Sequence, residues 1–249
     1  MRPGFAHRGA LLALAIIGSG CDRTSRAPRL TATDESPAVF GVLQVPRTAG
    51  PHPAVVLLPG SGGWRPAYAR FARAFADSGF VALALDYYAE AGRGRTRAEE
   101  MQHWPAWQAS IRDAVRWLEK APVVAGKPIA LVGYSRGAML AISVGDSALP
   151  TAAIVDYYGS GSDDDPADER IATFPPLLIL HGEADSNIPV ALAHRLFDRL
   201  HRKGADVEMY IYPGVEHGFN TPWSPGYSAH ADADAWRRTI RFLRQKLNP

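Results

Sequence analysis

The 249-residue sequence has a single cysteine, Cys21, so no disulfide can form within the chain and a hydrophobic core must hold the fold. Charge of one sign is also lacking. The 27 lysines and arginines nearly balance the 25 aspartates and glutamates, and Arg2 and Arg8 belong to an N-terminal leader that carries no acid. What remains is neutral overall, which leaves no basic field for nucleic acid or an anionic membrane surface. No apolar run approaches the ~20 residues that a bilayer span requires. His103, His194, His201 and His230 are scattered without ligand spacing, so no metal is expected. The glycine-rich GSGGW at 60–64 lacks the Lys-Ser/Thr of a phosphate-binding loop, and no cofactor is implied. There is no internal repeat and no low-complexity tract. A composition of 47% hydrophobic and 21% charged residues fits one soluble α/β domain with one large core.

What is present begins with a targeting segment. Arg2, His7 and Arg8 form a positive region, residues 10–17 (ALLALAII) an apolar one, and Gly18-Ser19-Gly20 precede Cys21. A lone cysteine there resembles a bacterial lipoprotein signal, in which that thiol is lipidated, although Gly18 stands where an aliphatic residue is usual. An ordinary secretory leader cut nearby is the alternative. Both readings export the protein to the cell envelope or periplasm, the first with a lipid anchor. Residues 1–20 are thus read as signal peptide, 21–37 as a flexible tether and 38–249 as the folded α/β domain.

The central stretch is PIALVGYSRGAMLAIS at 128–143. Residues 129–133 are a short apolar run with the pattern of a buried strand, and apolar residues from Ala138 onward recur at helical spacing. Gly133-Tyr134-Ser135-Arg136-Gly137, a G-x-S-x-G, lies between them. Turning abruptly from strand to helix exposes the serine hydroxyl above the sheet edge, and the helix N-terminus aims free N–H groups at the same point. This is the pattern of a nucleophile elbow.

Strands are expected at 39–45, 54–58, 80–85, 129–133, 152–157, 177–180 and 207–212. Helices are expected at 68–77, 107–120, from 138, at 189–203 and at 231–246, with 87–104 polar and irregular and an acidic excursion at 159–173. That alternation gives a mostly parallel central sheet with helices on both faces. Ligands in such sheets bind beyond the carboxyl ends of the strands.

A serine at its ordinary pKa needs a base held by a third group. Asp185, in HGEADSNIP, follows one buried strand, and His217, in GVEHGF, follows the next. The chain order Ser135, Asp185, His217 is the one the α/β-hydrolase scaffold requires. With LLPGSGGW, FVALALDYY and LVGYSRGA, these stretches resemble the dienelactone hydrolase family across nearly everything from residue 39 onward. The resemblance implies an α/β-hydrolase fold with little or no cap, acting on lactones or other small esters. The name-giving members carry a cysteine nucleophile where Ser135 stands, so a general carboxylesterase fits better than an enzyme for dienelactone itself.

In that reading Ser135 attacks the acyl carbon, His217 takes its proton, and Asp185 fixes the imidazole tautomer. The oxyanion would be met by the backbone N–H of Arg136 and by one from the glycine-rich loop, with Ser61 chosen ahead of Gly62. Trp64, Tyr88 and Trp223 are candidate pocket walls, with Tyr87 and Tyr227 beside them. Arg93, Arg95 and Arg97 either hold a substrate carboxylate, as the family resemblance suggests, or sit in a solvated loop. Asp156 is the reserve for Asp185. The expected partner is a small ester or lactone, with no nucleic acid and with membrane contact only through the anchor. A peptidase or amidase using the same triad, and a non-catalytic envelope binding protein, are the rivals.

Overall fold

The computed structural model describes residues 27–31, 37–145, 149–160, 171 and 173–247. The leader, Cys21 and most of the expected tether and acidic excursion lie outside them. Seven strands form one sheet: β1 (Gly41–Gln44), β2 (Ala54–Leu58), β3 (Val81–Leu85), β4 (Ile129–Tyr134), β5 (Ala153–Tyr157), β6 (Leu177–Gly182) and β7 (Val207–Tyr212). Their order is β1-β3-β2-β4-β5-β6-β7. Only β1 runs antiparallel, against β3, and every other pair is parallel. The expected seven strands and α/β-hydrolase architecture are therefore present.

Alternate residues of the buried strands face opposite layers. Val56, Leu58, Leu83 and Leu131 pack under α2 (Arg97–Glu119), α3 (Arg136–Gly145) and α4 (Val190–Arg202). Val55, Leu57, Ala130 and Val132 pack under α1 (Tyr68–Asp77) and α5 (Ala229–Leu247). Both faces are covered, which is why β2 to β6 read as continuous apolar runs rather than alternating ones. Because β2 and β4 to β7 are parallel, the loops after all of them emerge at one edge.

One helix departs from expectation. α2 starts at Arg97, ten residues ahead of the expected start, and runs through Pro105. Its start is capped by a side chain: Thr96 Oγ1 accepts Glu99 N–H at 3.2 Å, and the Glu99 carboxylate reaches back to Arg95 N–H at 2.7 Å. An internal proline costs about 3 kcal/mol through its lost hydrogen bond and ring clash. Burial of Trp104, Trp107, Ile111, Val115 and Leu118 along the helix outweighs that, at roughly 1.5–3 kcal/mol for each large apolar side chain. The polar run before residue 105 hid a helix that tertiary packing supports.

Residues 27–31, read from sequence as part of the tether, run along the domain. Leu30 N–H donates to Val39 C=O at 2.7 Å, Gly41 N–H to Pro28 C=O at 2.9 Å and Ala27 N–H to Asp86 Oδ2 at 3.1 Å.

Candidate active site

Ser135 sits between the end of β4 and the first residue of α3 with φ +53°, a left-handed geometry that a non-glycine residue adopts only under constraint. Its neighbours make that possible. A Cβ on Gly133 would run into the Ala138 backbone, and one on Gly137 into the Leu58 carbonyl. Ser135 N–H donates to Tyr157 C=O at 2.9 Å, and Ala138 N–H returns to Ser135 C=O at 2.9 Å, so the turn is pinned on both sides. Arg136 is the first helical residue, so its N–H has no acceptor within the helix and is free to meet an anion.

Asp185 is buried in the loop after β6. Its Oδ1 accepts the N–H groups of Asn187 at 2.9 Å and Ile188 at 2.8 Å, and its Oδ2 accepts His217 Nδ1–H at 2.7 Å. Burial alone would raise this carboxyl. The bonds from His217 and Ile188, together with the nearby imidazoles of His217 and His181, outweigh it and hold Asp185 below the ordinary carboxylate value. His217 lies in the loop after β7, and its Nε2 is 3.0 Å from Ser135 Oγ. With Nδ1 donating to the carboxylate, Nε2 carries the lone pair and faces the hydroxyl, the tautomer that a general base needs. The sequence placed these three residues on one rim, and the fold brings them into a single hydrogen-bonded chain.

Asp156, the reserve acid, is elsewhere. Fully buried at the end of β5, its Oδ1 accepts Gly159 N–H at 2.7 Å and its Oδ2 meets the Ser160 hydroxyl, so it shapes the turn after its own strand.

The glycine-rich loop after β2 lies against Ser135: a Cβ on Gly60 would be 3.4 Å from Ser135 Cβ. Gly60 N–H is taken by the Tyr68 hydroxyl at 3.3 Å. Ser61, the next residue, is solvent-exposed at the mouth of the site. Arg93 reaches the same loop, its Nη1 donating to Gly62 C=O at 2.9 Å. Arg95 donates its backbone N–H to the Glu99 carboxylate just before α2, and Arg97 is that helix's first residue.

The candidate wall residues separate. Trp223 is 43% exposed, stacked on Phe71 with centroids 6.0 Å apart and edge-on at 6.3 Å to Tyr68, whose hydroxyl holds Gly60. Trp64 is half-buried, with its Nε1 enclosed and unpartnered among the described residues. Tyr227 is exposed. Tyr88 requires correction: it is only 5% exposed, its ring 4.1 Å from that of Tyr87, and it supports the loop from beneath rather than lining the cleft. Burial of a polar aromatic beneath a loop leaves no periodic trace in sequence.

Two supporting pairs were missed. Glu216 Oε2 accepts Ser186 N–H at 3.1 Å and Ser186 Oγ–H at 3.0 Å, which ties the histidine loop to the aspartate loop. Tyr158, at φ +46°, stands edge-on to the His217 ring and donates its hydroxyl to Asn220 Oδ1 at 2.5 Å. Nothing local marks these pairs, since each joins loops distant in sequence.

A profile of the dienelactone hydrolase family matches residues 39–247. The chain belongs to the dienelactone hydrolase family. That membership makes it an α/β-hydrolase-fold carboxylic ester hydrolase. A Yersinia pestis protein named "Putative carboxymethylenebutenolidase" is 24% identical over 96% of this chain and 93% of its own length. Among solved structures, a dienelactone hydrolase-like promiscuous phosphotriesterase from metagenomic libraries superposes with a TM-score of 0.73 at 22% identity, covering 88% of this chain and 97% of that one. Thermogutta terrifontis esterase 2 phosphorylated by paraoxon superposes at 0.66 with 20% identity, covering 85% and 90%. These two establish likeness of fold.

Proposed function

We propose that this member of the family is a serine hydrolase that cleaves small carboxylic esters or lactones through an acyl-enzyme on Ser135. The observation that carries the reading is the continuous chain from Asp185 Oδ2 through His217 to Ser135 Oγ, with links of 2.7 and 3.0 Å. Ser135 Oγ bonds to the acyl carbon while its proton passes to His217 Nε2. The tetrahedral oxyanion is met by the Arg136 and Ser61 N–H groups. The intermediate collapses, the C–O bond to the alcohol breaks, and the leaving oxygen takes the proton from His217. Water, deprotonated by the same imidazole, then hydrolyses the acyl-enzyme. In a lactone the leaving alcohol stays tethered to the acyl group, and the product is a single hydroxy acid.

Exposed Trp223 and half-buried Phe71 would give the cleft an apolar side suited to a small acyl or aryl group. A panel of p-nitrophenyl esters and lactones, run beside anilides, tests the substrate class. Turnover of esters or lactones at least about a hundredfold faster than anilides supports the reading, and preferential anilide cleavage overturns it. The proposal includes export and lipidation of Cys21, supported by the leader of residues 1–21. Palmitate labelling in cells, abolished by Cys21→Ser, tests that part.

A further inference from the structure

Arg136 presents its backbone N–H to the site, but its guanidinium points away from the nucleophile. It meets Glu100 Oε1 on α2 at 2.7 Å, with the two side chains 18% and 24% exposed. It also lies over the Trp107 ring, 5.9 Å from the centroid, and bonds the hydroxyl of Tyr88. A guanidinium can serve two such partners at once because its N–H groups fan out in a rigid plane.

From Tyr88 the bonding continues into the loop after β2. Tyr87 has one hydroxyl proton, and the Pro59 carbonyl, an acceptor only, takes it at 2.6 Å. The two phenol oxygens are 2.8 Å apart, and the Tyr88 hydroxyl also faces the Gly60 carbonyl at 3.4 Å. Arg136 thus meets Tyr88, Tyr88 stands against both Tyr87 and the Gly60 carbonyl, and Tyr87 donates to Pro59 C=O. Burial pushes both phenols above their ordinary titration range, so the chain keeps its protons wherever the enzyme works. Pro59 is two residues before Ser61, and the intervening Gly60 is held from the other side by Tyr68.

We propose that the Arg136 side chain is a positioning residue of the oxyanion hole: anchored on Glu100, it sets the Pro59–Ser61 loop through Tyr88 and Tyr87. One residue thereby places both donors, the first with its own backbone and the second through its side chain. The inference rests on the ester-hydrolase reading above. Nothing in a G-x-S-x-G pattern requires an arginine after the nucleophile, so this device belongs to the particular residues of this chain.

The test uses Arg136→Met, Arg136→Lys, Tyr88→Phe and the Arg136→Met/Tyr88→Phe double variant. Readouts are kcat and KM for a p-nitrophenyl ester and the affinity of a trifluoromethyl ketone, which forms a tetrahedral oxyanion on the enzyme. Arg136→Met and Tyr88→Phe should each lower kcat about ten- to a hundredfold with KM held within about twofold. Ketone affinity should fall by the same factor as kcat/KM. Arg136→Lys should fall between wild type and Arg136→Met, since a point charge keeps the Glu100 pair but not the fork. The double variant should be no worse than the poorer single, because both changes break one chain. Unchanged kcat and ketone affinity, a rise confined to KM, or additive losses would overturn the inference. Should Arg136→Met fail to fold, Tyr88→Phe removes one oxygen and carries the same readouts. Turnover that survives Ser135→Ala would overturn the underlying reading as well, whereas Ser135-dependent turnover with indifferent Arg136 and Tyr88 variants overturns this inference alone.

Discussion

The ring of Tyr158 stands 4.7 Å from the imidazole of His217, at an interplanar angle of 63°, while its hydroxyl is fastened to Asn220 three residues beyond that histidine. A buried tyrosine in a left-handed conformation thus backs His217 and anchors the loop that carries it. Strained residues at such places persist because the surroundings over-determine them. Tyr158→Phe keeps the ring and leaves Asn220 Oδ1 without that donor. The expected result is a loss of about 1–3 kcal/mol in unfolding free energy, measured by urea denaturation, with KM unchanged.

The two buried aspartates should part company. Asp185→Asn should lower kcat about 10³- to 10⁴-fold, because the amide no longer fixes the tautomer that leaves His217 Nε2 free. Asp156→Asn keeps an acceptor for Gly159 N–H and should leave kcat of the folded protein within about threefold. Ester hydrolysis by the two variants, each checked by circular dichroism, measures this.

Asp185 also gives a signed pH dependence. Its carboxyl titrates lower in the folded protein than in the unfolded chain. Its contribution to stability is therefore complete above the unfolded value of about 3.9 and disappears as pH falls through the lower folded value. The stability gap between wild type and Asp185→Asn should narrow as pH is lowered from 7 towards 3, as read by urea midpoints.

Gly137→Ala tests the elbow. The added methyl would overlap the Leu58 carbonyl, a backbone atom at the end of the interior strand β2 that pairing with β4 holds in place. A loss at or above about 3 kcal/mol is expected, seen as poor soluble yield and a lowered Tm.

Much of this was legible in the sequence because parallel sheets bury both faces. β2 to β6 announce themselves as apolar runs, and the motif residues following β4, β6 and β7 must then emerge together at one edge. Ser135, Asp185 and His217 could be named for that reason alone. The start of α2 was illegible, since Pro105 and the charged residues before it read as loop until Trp104 and Trp107 are seen to be buried. Tyr88 looked like a wall residue because aromatics near a rim serve pockets and cores equally well. Its place under the loop is decided by packing between β3 and α2, which no local pattern encodes. The clasp made by Glu216 and the backing provided by Tyr158 depend on contacts between loops 30 and 62 residues apart.

The most direct measurement is pre-steady-state hydrolysis of a p-nitrophenyl ester by wild type and Ser135→Ala, paired with mass spectrometry after exposure to an organophosphate. Wild type should release a burst of nitrophenol and gain one phosphoryl adduct on Ser135. The variant should show neither, with turnover at least about 10³-fold lower. A burst or an adduct that persists without the Ser135 hydroxyl would contradict the account.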